Sequence, residues 1–373
     1  MGTPVATAST EGRGIPAAPT GPSRWRRLIQ GQELVVTLVG IALIIFFSVA
    51  TSAFATGSNL STVSGYIAPI LILAVAEVPV LTLGEIDLSV GGVYVLSPFL
   101  VVYLNNAGIP PLLGIIITLV IGIVIGIING LITVYLRVPS FITTLGTVFA
   151  LEGIVLLSSN GIQVNPVGGD TLAQVLGAWQ FSSILWALGI AVALHIVFRH
   201  TSFGLHITAT GGNVTASAES GVKVGWVRVA CFAICSLLGA FLGILDGYRI
   251  GSLNPGTDGL TLMFYGVAAA VVGGTALTGG KGTIIGAAIG AIVLGVLEDG
   301  FNIMGINAFA YQLVLGLAIL GAMILNIQMD SLRAGRRGGG RARKKSARGA
   351  DPGAGQSLPS VEDDSSPESA STH

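Results

Sequence analysis

Charged side chains are scarce in this chain. Only 10% of its 373 residues are Asp, Glu, Lys or Arg, whereas 52% are hydrophobic, and the mean hydropathy is +0.82. An ordinary soluble domain has about a quarter charged residues, so the composition excludes that class. The sequence therefore indicates an integral membrane protein.

Cysteine is scarcer still. Cys231 and Cys235 are the two cysteines, and they lie four residues apart in one apolar segment. A helix can present both on one face but cannot readily bridge them, so we interpret them as small packing residues, with a metal or redox pair as the alternative. No spacing of His, Cys, Asp or Glu suggests a metal site, and no nucleophile and base pair suggests a catalytic centre.

The phosphate-binding loop of an ATPase is missing as well. Such a loop needs glycine, four residues, then Gly-Lys followed by Ser or Thr. Around Lys281 the first position is Thr275 and the residue after the lysine is Gly282, so the pattern fails at both ends. Energy for transport would have to come from ATP hydrolysed by a partner or from an ion gradient.

Long apolar segments, separated by glycine, proline or polar residues, make up most of the chain. Ten have spanning length: 34–54, 65–83, 88–104, 111–136, 138–157, 181–199, 226–248, 260–278, 282–303 and 308–327. The fold class is predicted to be an all-α polytopic membrane protein with about ten transmembrane or re-entrant helices. Internal prolines predict tilted or broken pieces. The first segment exceeds the usual length of a signal-peptide core, which favours a retained span.

The distribution of Lys and Arg predicts the orientation. Both termini are expected in the cytoplasm, with Arg249 alone among the core basic residues on the other side. We expect a disordered tail at 1–33, a transmembrane domain at 34–327 and a second disordered tail at 328–373, first basic and then acidic. The basic run from Arg333 to Arg348 is interpreted as a topology anchor that attracts anionic lipid, rather than as a nucleic-acid site.

Two acidic residues and several glycines interrupt the apolar sequence at 81–95. A charged side chain at the bilayer centre costs about 3 kcal/mol, so Glu85 and Asp87 predict a break in the helix and a place on the translocation pathway. Glu77 and Glu152 are candidates for a pathway or packing role. The remaining acids are interpreted as solvated helix ends: Asp246, Glu298 and Asp299.

A polar loop at 201–224 is predicted to be cytoplasmic. Asn213 is a good N-cap and Gly221 a natural stop for a helix of about two turns. Such a short helix is marginal alone, which favours docking on a partner protein over packing on this chain's own helix ends. His206 is interpreted as a solvated residue of this loop, and His195 as interfacial.

Three segments repeat glycine at four-residue spacing, which permits close helix crossings. The triplets are Gly122, Gly126, Gly130; Gly239, Gly243, Gly247; and Gly282, Gly286, Gly290. We interpret them as internal packing, with a dimer contact or a pathway face as the alternative.

Three stretches together resemble a known family. GEIDLSVG at 84–91, ATGGN…SGV at 209–222 and GGTALTGGKGT at 273–283 are similar in order and spacing to the permease subunits of bacterial sugar ABC importers, the ribose, xylose and galactose group. The resemblance covers about residues 34 to 327. Two positions depart from the family pattern, which usually has Gly in place of Glu85 and an Arg near Leu205 or His206.

The resemblance implies an assembly in the bacterial inner membrane. A homodimeric, occasionally heterodimeric, permease would work with two cytoplasmic ATP-binding subunits, or one fused tandem chain, and with an extracytoplasmic sugar-binding protein. The chain would need no cofactor of its own, because ATP is used by the partner. The ATPase-coupling residues would be Gly211, Gly212, Asn213, Ala216, Glu219, Ser220 and Gly221. Beside Glu77 and Glu85, the pathway candidates would be Asp87, Leu88, Ser89 and Gly91.

These features lead us to expect a non-enzymatic permease that moves a monosaccharide, a pentose or hexose, by alternating access. A permease for branched-chain amino acids or nucleosides is the first alternative. An ion-coupled transporter that uses Glu77, Glu152 or Asp87 is the second. A membrane enzyme is disfavoured, since no set of catalytic residues is evident.

Overall fold

The structure, a computed structural model, describes residues 32–307 and, beyond them, 310–314, 316–317, 320–321 and 324. The helices are α1 Gln32–Ala50, α2 Gly57–Thr82, α3 Ser89–Asn106, α4 Pro111–Tyr135, α5 Ser140–Ser159, α6 Asp170–Ala173, α7 Ser182–His200, α8 Ser202–Gly212, α9 Val214–Glu219, α10 Val224–Ile250, α11 Gly259–Val272 and α12 Ile284–Ile303, with a π-helical turn at Gln174–Ala178. Eight of them, α1 to α5, α7, α10 and α12, are long and apolar enough to cross a membrane. The chain is an all-α, multi-pass membrane protein, as predicted.

Helix α2 lies at the centre of the bundle. Every residue from 67 to 83 is buried, as expected of a helix that is apolar on all sides. It packs against α7, α10, α11 and α12. Pro69 and Pro79 lie inside it without ending it. The core of the protein is therefore built around a helix that has no outer face over these residues.

The outer helices expose large apolar side chains. Val49 of α1 and Leu157 of α5 are more than four-fifths accessible, and α4 and α7 carry similar exposed residues. In a membrane, such faces contact lipid or another subunit.

The glycines of the three triplets lie at helix crossings within the chain, except Gly282, which lies in the loop before α12. On α4, a side chain at Gly126 would collide with the main chain of Phe232 on α10, and one at Gly130 with Val229. On α10, Gly243 faces the carbonyl of Tyr94 on α3. On α12, Gly290 faces the Ala269 carbonyl of α11. The main chains approach closely at these points because no side chain intervenes.

Two predicted segments differ from the observed helices. The segment at 65–83 begins earlier, at Gly57, because Thr56 caps the helix by accepting the Asn59 N–H at 3.3 Å. The segment at 260–278 is helical only to Val272. At 1.5 Å per residue its 14 residues span roughly 21 Å, less than the hydrocarbon core, so the prediction of a full span was wrong there. Of the tenth segment, 308–327, the structure describes 310–314, 316–317, 320–321 and 324, and these residues are helical.

Candidate functional site

The three stretches that carry the family resemblance meet at the C-terminal end of α2. The Gly280 N–H donates to the Thr82 carbonyl at 2.7 Å, and Gly211 lies so close to the same carbonyl that a Cβ would overlap it. A Cβ on Gly279 would lie 3.0 Å from the Gly84 nitrogen. We call these four glycines around the Thr82 carbonyl the glycine junction.

Backbone conformation explains why glycine occupies the junction. Gly84, Gly279 and Gly280 have φ values of 78°, 83° and 78°, a region that residues with a Cβ rarely adopt. Gly211 is required instead by the close approach of the main chains. The junction therefore joins the end of α2, the end of α8 and the 273–283 loop through main-chain contacts alone.

The predicted break is present at 83–88, directly after the junction. The Asp87 carboxylate, fully buried, accepts the Ser89 N–H at 3.0 Å and the Ser89 hydroxyl at 2.5 Å. An acid at this place satisfies a free donor and complements the dipole of α3. Burial raises the pKa of Asp87 to about 6, against the opposing effect of its hydrogen bonds with Ser89. Asp87, one residue before the N-cap residue Leu88, thus acts as a buried cap for the first N–H of α3.

Hydrogen bonds extend from this cap to two further helices. The Asn129 side-chain amide of α4 donates to the Ser89 hydroxyl at 2.8 Å. The Thr147 hydroxyl of α5 donates to the side-chain amide oxygen of Asn129, Oδ1, at 2.7 Å. The break is therefore tied to α3, α4 and α5 by one continuous polar chain.

Glu85, which lies within the break, forms an ion pair with a residue of α10. Its carboxylate lies 3.5 Å from the Arg228 guanidinium, near the start of α10. The next residue, Ile86, donates its N–H to the Ser140 hydroxyl at the start of α5. The charge of Glu85 is therefore balanced by Arg228 of α10.

Glu77 is fully buried in α2. The Cys235 thiol lies 3.5 Å from one carboxyl oxygen, and the other oxygen has no hydrogen-bond partner among the described residues. Both cysteines are free and buried. Cys235 thus contacts a functional candidate instead of only filling space.

The acids interpreted as solvated helix ends behave differently from that expectation. Asp246 is buried and accepts the Tyr94 hydroxyl at 2.7 Å and the Arg249 guanidinium at 2.6 Å. Asp299 is also buried and accepts the Asn59 amide at 2.8 Å. Partners within the bundle replace water in both cases, so the solvated interpretation was wrong. Glu152, expected to lie deep, is partly exposed.

The polar loop at 201–224 consists mostly of two helices. Helix α8 was not predicted; it carries the partly buried His206 and ends in the junction. Helix α9 follows, with the Asn213 side chain accepting the Ala216 N–H at 3.0 Å. Gly221, with φ of 85°, turns the chain after it.

Helix α9 makes little contact with the rest of the chain. Among its six residues only Ser217 is buried. The predicted coupling residues beyond the junction lie exposed on it or beside it: Gly212, Asn213, Ala216, Glu219, Ser220 and Gly221. The structure thus presents them on one small projecting element.

The remaining pathway candidates lie inside the bundle. Leu88 is buried at the start of α3. Gly91 faces the Gly259 carbonyl at the start of α11, where a Cβ would come within 2.5 Å. The break therefore contacts α5 and α10, and the first turn of α3 that follows it contacts α4 and α11.

Sequence reasoning missed the partners that complete the site. Asn129 could have been found as the single amide in the apolar run of α4, and Arg228 as a charge near the start of α10. Thr147 gives no comparable signal, because threonine is ordinary in a membrane helix. Each partner is far in sequence from the residue that it contacts.

Comparisons with known proteins agree with this architecture. Residues 59–327 match the family described as branched-chain amino acid transport system / permease component. The chain is 33% identical over 303 residues to the xylose/arabinose import permease protein XylH of Sulfolobus acidocaldarius, covering 79% of this chain and 84% of that protein.

Two relatives from Escherichia coli K12 are similar over comparable lengths. The ribose import permease protein RbsC is 32% identical, with 80% of this chain and 94% of RbsC covered. The galactose/methyl galactoside import permease protein MglC is 36% identical, with 83% and 96% covered. No solved structure matches the chain. The family match and the apolar helices place the chain among multi-pass inner-membrane transport subunits, and it belongs to the family of branched-chain amino acid transport system permease components.

Proposed function

We propose that this chain is the membrane-spanning subunit of an ATP-driven importer of a monosaccharide, and that α9 is the element that a separate ATP-binding subunit moves. The observation that carries the proposal is the position of α9: it projects from the glycine junction, where the three family stretches meet. A second copy of the chain and an extracytoplasmic sugar-binding protein would complete the transporter.

The exposure of α9 supports a partner at this place. A helix of six residues is too short to be stable on its own in water. Here its N-cap and its glycine stop hold the ends, but its sides remain exposed. A groove on another protein would cover those sides.

The connections of α9 supply a route for movement. Helix α8 precedes it directly and meets the Thr82 carbonyl at Gly211. Thr82 ends the buried helix α2, and the break that follows leads to Asp87 and the cap of α3. A displacement of α9 would therefore reach the centre of the bundle through rigid main-chain contacts.

The relatives support a sugar as the transported molecule. XylH, RbsC and MglC are named for xylose or arabinose, ribose, and galactose or methyl galactoside. The family description refers to branched-chain amino acids.

Uptake of labelled xylose, ribose, galactose and leucine in cells with and without the gene distinguishes the sugar class from the amino-acid class. We expect loss of one sugar; loss of leucine uptake alone would contradict the proposal.

Gly221→Val tests the role of α9. A β-branched residue is strained at a φ of 85°. The substitution should therefore distort the turn after α9 and tilt or unfold the helix. We expect the variant to insert normally but to lose at least tenfold in uptake and in co-purification of the ATP-binding subunit.

Gly108→Val is the matched control. Gly108 also has a positive φ, of 89°, and open space around it, but lies in the turn between α3 and α4. We expect it to leave partner binding intact. Normal uptake and normal partner binding in Gly221→Val would assign α9 a purely structural role.

A further inference from the structure

A large cavity opens beside the start of α12, outside the glycine junction. Its volume is about 720 Å³. Its walls come from the first turn of α1, the last turn of α7, α8 and the 281–285 segment. These are ends of membrane-spanning helices, so the cavity lies where the bilayer meets water.

The polar wall of the cavity is basic. Arg199, His195 and Lys281 line it. Glu33 is the acid on the wall, and its carboxylate accepts the Thr283 hydroxyl at 2.6 Å. Arg199 and Lys281 carry two positive charges against the one negative charge of Glu33, so a bound anion would be attracted. The first two main-chain N–H groups of α12, at Ile284 and Ile285, add partial positive charge at the same end of the helix.

The threonines of the wall contribute little donor capacity. The Thr201 hydroxyl donates to the Val197 carbonyl at 2.6 Å, and the Thr208 hydroxyl to the Gly204 carbonyl at 2.9 Å. A bound anion would therefore be held mainly by the basic side chains.

The opposite wall is apolar. Phe198, Leu205 and Ile285 line it, and the last two are about half or more exposed. On α7, Val192 and Ile196 continue this apolar surface along the exposed side of the helix. A free phosphate gains nothing from such a wall, whereas an amphiphile fills both halves.

We propose that this cavity binds the headgroup of an anionic phospholipid, with the phosphate against Arg199 and Lys281 and the upper acyl chain against Phe198, Leu205 and Ile285. The site is independent of the transported substrate. The lipid would brace the ends of α1, α7, α8 and α12 against one another, beside the element that we assign to coupling.

The test measures lipid retention by the full-length protein. The chain, with any subunits that accompany it, is extracted gently and exchanged into phosphatidylcholine nanodiscs containing a minor fraction of phosphatidylglycerol, and the retained lipids are counted by native mass spectrometry. We expect phosphatidylglycerol to be enriched in the wild type. Arg199→Gln should lower that enrichment about fivefold, and Arg199→Gln with Lys281→Gln further.

The control is the double variant Arg137→Gln with Lys223→Gln, two exposed basic residues that do not line the cavity. It should retain phosphatidylglycerol as the wild type does. Equal loss in both double variants would show diffuse charge attraction and overturn the proposal. Displacement of the lipid by inorganic phosphate would assign the cavity to a free anion, and loss of the lipid when an ATP-binding subunit is added would assign it to a protein contact; either would also overturn it.

Discussion

Asp87 brings two opposing effects together at one residue. Its carboxylate caps α3 through Ser89, which favours the charged form, while full burial favours the neutral form. Burial has the larger effect, because the pKa rises from 3.8 to about 6. Near neutral pH the group is therefore mostly ionised at a free-energy cost to the folded state.

Asp87→Asn tests this balance. Because the pKa in the folded state is the higher one, the contribution of Asp87 to stability is present below about pH 4 and is lost as the pH rises through about 6. The amide can still accept from Ser89 but carries no charge. We expect the variant to be about 2 to 3 kcal/mol more stable than the wild type at pH 8, with no difference near pH 4, by thermal unfolding in detergent.

Asp170→Asn serves as the control, since Asp170 is an exposed acid at the start of the short helix α6. It should unfold as the wild type does at every pH. A less stable Asp87→Asn protein at pH 8 would mean that capping outweighs burial.

The long helices depend on positions where a side chain cannot fit. Gly126 of α4 lies against the main chain of Phe232 and Ala233 on α10. Main chain cannot rotate away as a side chain can, so the two helices would have to separate. The crossing is thus set by the absence of a single methyl group.

Gly126→Ala should reveal this dependence. We expect a loss of about 1 to 3 kcal/mol, seen as a lower melting temperature and a lower yield of folded protein. Gly146→Ala on α5 is the matched control: nothing lies within 4 Å of its Cβ position, so better helix propensity should leave the protein unchanged or slightly more stable. Equal behaviour of the two variants would contradict the packing role of Gly126.

Much of the element pattern follows from sequence, and the exceptions have physical causes. Apolar length predicts α1, α4, α5 and α7 well, because each needs only to cross a membrane. Helix α8 was missed because its polar residues and final glycines resemble a loop. The pairs Glu85 with Arg228 and Ser89 with Asn129 were missed because sequence patterns do not report contacts between distant residues.

At the scale of the whole molecule, the orientation in the membrane is predicted from the charge distribution. With α1 starting in the cytoplasm, the turn at 107–110 lies outside and α9 inside. Cys231 and Cys235 are fully buried. Neither cysteine should therefore react with a thiol reagent, so an introduced cysteine can be labelled selectively.

Ser220→Cys and Asn106→Cys test the orientation, since both positions are exposed at opposite ends of the spans. In intact cells, a membrane-impermeant maleimide should label Asn106→Cys only, and in inside-out vesicles Ser220→Cys only. The wild type should remain unlabelled in both. The reverse pattern would invert the topology and place α9 out of reach of a cytoplasmic ATP-binding subunit.

The enclosure of α2 also has a consequence for biogenesis. This helix leaves the ribosome second, yet the helices that pack around it, α7, α10, α11 and α12, are all synthesised after it. Until they arrive, Glu77 has lipid or the insertion machinery for a neighbour, an unfavourable place for a carboxyl group. The N-terminal half therefore cannot complete its packing until those helices are synthesised. A nascent chain that stops before α10 would leave Glu77 without its contact with Cys235 and would be a substrate for the quality-control proteases of the membrane.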